Sequence, residues 1–203
     1  MNENIYNENI HNNYSYLELI LGPMYSGKTS ALVNIYKQCI LCNIPIVVIN
    51  HNIDKRYHDI HLSTHDQITI PCIKTEKLMD ILSNDIHNDI HNDIMKSNII
   101  LINEGQFFDD LVVFVEKMLS YKKKIYICGL DGDFERKKFG QILDLIPLCD
   151  KVCKLNSLCS ICKNGKKGIF SMRLTNETEQ KVVGSDNYIP VCRECYENGK
   201  NNI

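Results

Sequence analysis

"YLELILGPMYSGKTSALVNIYK" (residues 16–37) decides how the rest of the chain is read. It opens on a short apolar run, Tyr16 to Leu21, that ends in glycine, the mark of a buried strand. From Lys28 onward the spacing is helical. Between the two, "GPMYSGKT" (22–29) fits the pattern G-x-x-x-x-G-K-[ST], in the strand-to-helix context that a phosphate-binding loop requires. Gly22 and Gly27 let the backbone curl so that several N–H groups face one anion, and the helix N-terminus adds its positive end. Lys28 would reach the β and γ phosphates, and the Thr29 hydroxyl can ligate Mg²⁺. The alternative is a chance match in a glycine-containing turn, which the flanking strand and helix disfavour.

Outward from this unit, further strands are expected at "IPIVVIN" (44–50), "NIILIN" (98–103) and "KKIYICGL" (123–130). Residues 51–69, polar and with four His and three Asp, read as a loop or short hairpin. A helix is expected to begin at "EKLMDIL" (76–82) and continue into "NDIHNDIHNDI" (84–94), a four-residue repeat that reads as an insertion lengthening a surface helix. "DDLVVFVEKMLSY" (109–121) is an amphipathic helix, and "GQILDLIPLCD" (140–150) is helical until Pro147 breaks it. Strands alternating with helices imply an α/β fold with a mainly parallel sheet and covering helices. The expected divisions are a disordered polar tail (1–15), a P-loop nucleotide-binding core (16–150), a small cysteine-bearing unit (151–196) and a second tail (197–203).

Composition limits the function. The chain has 203 residues, 44% hydrophobic and 24% charged, with a formal net charge of -2. That balance gives no basic field, so nucleic acid is not an expected partner. No apolar run is long enough to span a bilayer, and the N-terminus has no signal-peptide pattern, so no membrane association is expected and the cytosol is the expected address. Asn and Ile, 22 and 28 residues, are overrepresented enough that Asn-rich stretches are discounted as functional signals. Ten cysteines in a reducing compartment point to metal ligation and buried thiols rather than disulfides.

Two further motifs carry chemistry. In "LINEGQFF" (101–108) the carboxylate just past the strand, Glu104, can act as a general base on a substrate hydroxyl, unless it is an ordinary surface Glu in a turn. "CSIC" (159–162) and "CREC" (192–195) supply four thiolates, Cys159, Cys162, Cys192 and Cys195, for tetrahedral zinc; free thiols are the alternative. The 29 residues between the pairs exceed a compact zinc ribbon, so the metal would tie the base of a long loop. "CILC" (39–42) has no second pair and reads as packed helix cysteines, and His87 and His91 read as a solvated face of the repeat.

Together these motifs resemble the type II thymidine kinase family, over roughly residues 17–196. "GPMYSGKT" looks like that family's phosphate loop, "INEGQFF" resembles its "DEGQFF", "LDGDFERKKFG" (130–140) is similar to its "LDGTFQRKPFG", and the Cys pairs match its structural zinc site; "DKRY" (54–57) and "STHD" (63–66) also have counterparts. The resemblance implies a RecA-like core, a zinc-tethered lasso over the nucleoside, a homotetramer, and transfer of the ATP γ-phosphate to the 5′-hydroxyl of thymidine. Gly22, Pro23, Met24, Tyr25, Ser26, Gly27, Lys28 and Thr29 would then hold the phosphates. Asp54, Lys55, Arg56, Asn103, Gly105 and Gln106 would lie close to the nucleotide, and Glu104 would be the base. Phe134 would stack near thymine, with Met24, Phe107, Leu130 and Phe139 shaping its pocket. Lys181, Val182 and Val183 would offer main-chain hydrogen bonds, with Tyr188 beside them.

Asn103 departs from the family, which has Asp there. An amide keeps the oxygen and the size but loses the charge that hard Mg²⁺ prefers, so weaker Mg²⁺ binding is expected. Tyr25, Lys138 and Lys181 are milder departures. Two other readings remain: a degenerate relative that binds nucleotide but turns over poorly, and a P-loop nucleic-acid ATPase with a zinc module, which the net charge weighs against.

Overall fold

The computed structural model describes residues 14–53, 61–63, 68–83, 88–182 and 187–200. Its elements, in chain order, are β1 (Tyr16–Leu21), α1 (Lys28–Leu41), β2 (Ile46–His51), β3 (His61–Ser63), β4 (Thr69–Pro71), β5 (Ile73–Thr75), α2 (Asn88–Lys96), β6 (Ile99–Ile102), α3 (Leu111–Ser120), β7 (Lys124–Gly129), β8 (Lys151–Lys154), β9 (Ser157–Leu158), β10 (Lys167–Gly168), β11 (Phe170–Arg173), β12 (Tyr188–Val191) and α4 (Arg193–Lys200). Six strands form one parallel sheet in the order β5-β2-β6-β7-β1-β8.

Alternation along the strands divides the core in two. Leu17, Leu19, Ile49, Ile100, Ile102, Ile125 and Ile127 face α3, where Leu111, Phe114, Val115 and Met118 are fully buried. Ile20, Val48, Leu101 and Cys128 face α1 through Leu32, Val33 and Cys39. A parallel sheet covered on both faces needs such β-branched, near-continuously apolar strands. Because β1, β6 and β7 run the same way, the residues after Leu21, Ile102 and Gly129 emerge at one edge, where open α/β sheets bind ligands.

Four expectations are corrected. Residues 76–82 hold only a short 3₁₀ turn, Asp80–Leu82, not the start of a long helix. The Asp110 carboxylate accepts the N–H groups of Leu78 and Met79 at 3.1 and 2.8 Å at the entry to this turn, and the Ser83 hydroxyl donates to the Asp80 carbonyl at 2.7 Å and closes it after one cycle. The core sheet does not end at residue 150, because β8 adds a sixth strand beside β1 before the chain leaves it. Residues 197–200 continue α4 rather than forming a tail. In 140–150 the helical segment is a 3₁₀ stretch, Ile142–Leu148, that includes Pro147. The expected hairpin appears as the antiparallel pair β3–β4. Most of the N-terminal tail, residues 84–87 of the repeat, Asp54, Lys55, Arg56, His87, Val183 and residues 64–66 of "STHD" lie outside the described residues.

Past β8 the chain forms two small antiparallel pairs, β9–β10 and β11–β12. A cluster of Cys159, Val191, Cys192 and Tyr196, with Phe170 and Met172 against it, forms a separate core there.

Candidate active site

The loop after β1 has the backbone that its glycines were expected to allow. Gly27 sits at φ +85 as the N-cap of α1, and a Cβ at Gly22 would come within 2.6 Å of the Leu155 carbonyl. Tyr25 also takes a left-handed φ of 59. Lys28 is buried, and its Nζ donates to the Pro23 carbonyl at 2.6 Å, so the amine lies folded along the inside of the loop.

Glu104, two residues past the end of β6, has φ 54 and ψ 43, a conformation uncommon for residues other than glycine. Gln106 holds it there. The Gln106 Nε2 donates to Glu104 Oε2 at 2.7 Å, and its Oε1 accepts the Leu130 N–H at 3.0 Å. Gln106 is itself fully buried against glycines: a Cβ at Gly140, whose φ is +60, would come 2.0 Å from the Gln106 carbonyl oxygen. Gly140→Ala should therefore lower stability by about 2–4 kcal/mol, read as a Tm drop of roughly 5–10 °C, with activity falling as Glu104 loses its brace. An unchanged Tm would show that the two loops have slack.

Asn103 is buried behind the loop. Its Nδ2 donates to Asn50 Oδ1 at 3.0 Å, and that oxygen also accepts the His51 N–H at 3.1 Å. Its Oδ1 accepts from Cys128 Sγ at 3.0 Å and lies 3.5 Å from Thr29 Oγ1. A Thr29 hydroxyl that donates its proton to this oxygen keeps its lone pairs for a cation. The donor set suits Mg²⁺ in kind, hydroxyl and amide oxygen, but carries no charge.

Met24 to Thr29, Glu104, Phe107, Leu130, Phe134, Phe139, Lys181, Val182 and Tyr188 line a single cleft. Phe107 and Phe139 meet edge to face at 5.5 Å. Gly22, Pro23, Asn103, Gly105 and Gln106 stand behind this surface rather than on it. Ser30, Ile53, Gly132, Asp133, Ser171 and Gln180 also line the cleft and were not expected. Of these, Asp133 had a local signal: its carboxylate caps the N–H groups of Glu135 and Lys137 at 2.9 and 2.8 Å, the work of an Asp in a turn. Its other oxygen accepts from Gln180 Nε2 at 2.7 Å, and Ser171 Oγ accepts the Met24 N–H at 2.9 Å. These two bonds join the cysteine-bearing segment to the core.

The sulfurs of Cys159, Cys162, Cys192 and Cys195 lie within 4.8 Å of one another. Tetrahedral zinc, with Zn–S near 2.3 Å, needs sulfurs roughly 3.8 Å apart, so the four fit with a small contraction. Burial opposes ionisation of Cys159, yet backbone N–H groups of Cys192, Cys162 and Ile161 outweigh it and bring the thiol down to about 6. Cys195, which shares its proton with Cys192 and is partly desolvated, is pushed up to about 12. Four crowded thiols ionise together only around a cation. In "CILC", Cys39 is buried in the core as expected, whereas Cys42 is exposed at the helix end.

A glycine loop of this shape between a parallel strand and a helix, with a deep cleft before it, places the chain among the P-loop α/β proteins. The comparisons narrow that class. The thymidine kinase family profile matches residues 15–196. Thymidine kinase of sheeppox virus (strain KS-1) is 41% identical over 184 residues, 90% of this chain and 97% of that protein. Thymidine kinases of myxoma virus (strain Uriarra) and vaccinia virus (strain Ankara) are 39% and 38% identical, covering 89% and 91% of this chain and 95% and 98% of theirs. The chain belongs to the thymidine kinase family.

Proposed function

We propose that the protein transfers the γ-phosphate of ATP to the 5′-hydroxyl of thymidine. The observation that carries this reading is that the phosphate loop, Glu104 and an aromatic pocket open onto one cleft. The loop N–H groups and Lys28 bind the triphosphate, with Asp54, Lys55 and Arg56 proposed beside it. Phe134, Phe107, Phe139, Leu130 and Met24 enclose the base, and Lys181 and Val182 present main-chain groups to its edge, with Val183 proposed beside them and Tyr188 packed behind. Glu104 accepts the proton of the 5′-hydroxyl as that oxygen attacks phosphorus. Phosphoryl transfer otherwise needs positioning and charge neutralisation, and exclusion of competing water. Mg²⁺ would supply part of that neutralisation, held by Thr29 with Asn103 orienting the Thr29 hydroxyl. Zinc at the four cysteines would fix the lasso.

Ten cysteines without a disulfide suit a reducing, cytoplasmic setting; among the described residues, no helix is long and apolar enough to cross a membrane. Assembly as a homotetramer rests on the family resemblance and is tested by light scattering.

The deciding experiment is phosphorylation of thymidine against deoxycytidine with graded Mg²⁺. Thymidine-selective turnover supports the reading; ATP binding without turnover at any Mg²⁺ level supports the degenerate relative. In the same assay Asn103→Asp should lower the Mg²⁺ requirement. It should also cost about 1–3 kcal/mol of stability, because a carboxylate then faces Asn50 Oδ1, and turning Asn50 over abandons the His51 N–H. An unchanged Mg²⁺ titration would sink this account of Asn103.

A further inference from the structure

One buried cation plays no part in the chemistry above. Arg173, at the end of β11, is 6% exposed, and among the described residues no carboxylate pairs with it. Its Nε and Nη2 donate to the Tyr188 hydroxyl at 3.1 and 2.5 Å, Nη1 to the Glu177 carbonyl at 2.7 Å, and Nη2 to the Gln180 carbonyl at 3.3 Å. The guanidinium carbon lies 3.7 Å from the centroid of the Phe134 ring and 5.1 Å from that of Tyr188. Removing a cation from water is costly unless other groups replace the lost hydration. Here carbonyl dipoles, a phenol oxygen and aromatic faces do so.

Phe134 gives this arrangement its consequence. Phe134 lines the nucleoside cleft, and it also borders a second, open depression that Arg173, Met172 and Tyr196 help to line. Phe134 thus stands between the cleft and this depression, with the Arg173 guanidinium against its ring. Its backbone is held from one side, by the Tyr196 hydroxyl donating to the Phe134 carbonyl at 2.6 Å. The ring itself is held by Arg173.

We propose that Arg173 is a positioning residue for the nucleoside: it fixes Phe134 as a rigid stacking wall and gathers the Glu177 and Gln180 carbonyls, so that Lys181 and Val182 face the base. This rests on the nucleoside kinase reading. Lysine cannot replace it, because a point charge on a flexible stem neither stacks on the ring nor spans two carbonyls and a phenol.

The test compares Arg173→Lys and Arg173→Ala with the full-length wild type, each loaded with zinc. The KM for thymidine should rise about tenfold or more in both, with the KM for ATP changed less than about twofold. Methylguanidinium at about 10 mM should restore thymidine KM in the Ala variant, by refilling the planar site, and not in the Lys variant. Without substrates, amides of residues 175–182 should exchange hydrogen faster in both variants. Equal rises in both KM values, or no rescue, would assign Arg173 to general stability and overturn the proposal. Unchanged exchange at 175–182 would also overturn it, even if the wild type proved inactive on thymidine. Inactivity of the wild type with faster exchange in the variants would sink the kinase reading while sustaining the role of Arg173 in ordering the loop.

Discussion

Glu104→Gln is expected to lower thymidine phosphorylation by about 10³-fold while leaving ATP affinity within about a factor of two. The substitution changes the proton-accepting atom and little else. Glutamine can present its own oxygen to Gln106 Nε2, so the bond that braces residue 104 in the native chain, 2.7 Å long, can be kept. The left-handed backbone at 104 is set by its surroundings, with Phe107 N–H donating to the Glu104 carbonyl at 3.0 Å, and does not depend on side-chain charge. The phosphate loop lies on a different strand end and should be untouched. Single-turnover kinetics with bound ATP isolates the chemical step. A loss below about tenfold would move Glu104 from base to bystander, since phosphoryl transfer through a loose transition state can draw most of its acceleration from positioning alone.

Zinc removal should have a comparably large effect by another route. Stripping the metal, or replacing Cys195 by serine, is expected to weaken thymidine binding by about 100-fold or more, with the parallel sheet still folded. The scale follows from structural zinc sites, whose binding contributes about 10 kcal/mol in small peptides. Here the cysteine pairs bracket β11 and β12, the strands that carry Ser171, Arg173 and Tyr188. Tyr196, next to Cys195, anchors the Phe134 carbonyl. Loss of a metal held there would therefore release the pocket wall and the proposed lasso together. The core has its own two apolar clusters and does not need the cysteine-bearing one. Elemental analysis should find one zinc per chain, calorimetry should read the lost thymidine affinity, and circular dichroism should show most of the helix retained. Metal-free protein that binds thymidine normally would refute this.

Sequence exposed the parts whose physics is local. The glycine loop is written in eight consecutive residues, the parallel sheet in apolar runs spaced by helices, and the candidate metal site in two short Cys pairs. It hid what depends on distant partners. The turn at Asp80–Leu82 looked like part of a long helix, whereas Asp110, which caps its entry through the Leu78 and Met79 N–H groups, lies about thirty positions away in the chain. Where the core ends was misplaced because a change of composition at Lys151 does not reveal that β8 still pairs with β1. Asn103 announced itself as a missing acid, but its partner Asn50, 53 residues earlier, gave no sign. Arg173 carries no local signal, and only the fold brings Phe134, Tyr188, Glu177 and Gln180 around it.

The hydrogen bond from the Met24 N–H to Ser171 Oγ ties the loop proposed to receive ATP to β11, the strand that leads into the proposed lasso. On the proposed reading, the two substrate sites share this bond. If ATP shifts Met24, the lasso is biased before any nucleoside arrives, and the free energy of that bias is common to both ligands. By linkage, thymidine must then alter ATP affinity by the same factor that ATP alters thymidine affinity. Calorimetric titrations in the two orders of addition would close the same thermodynamic square.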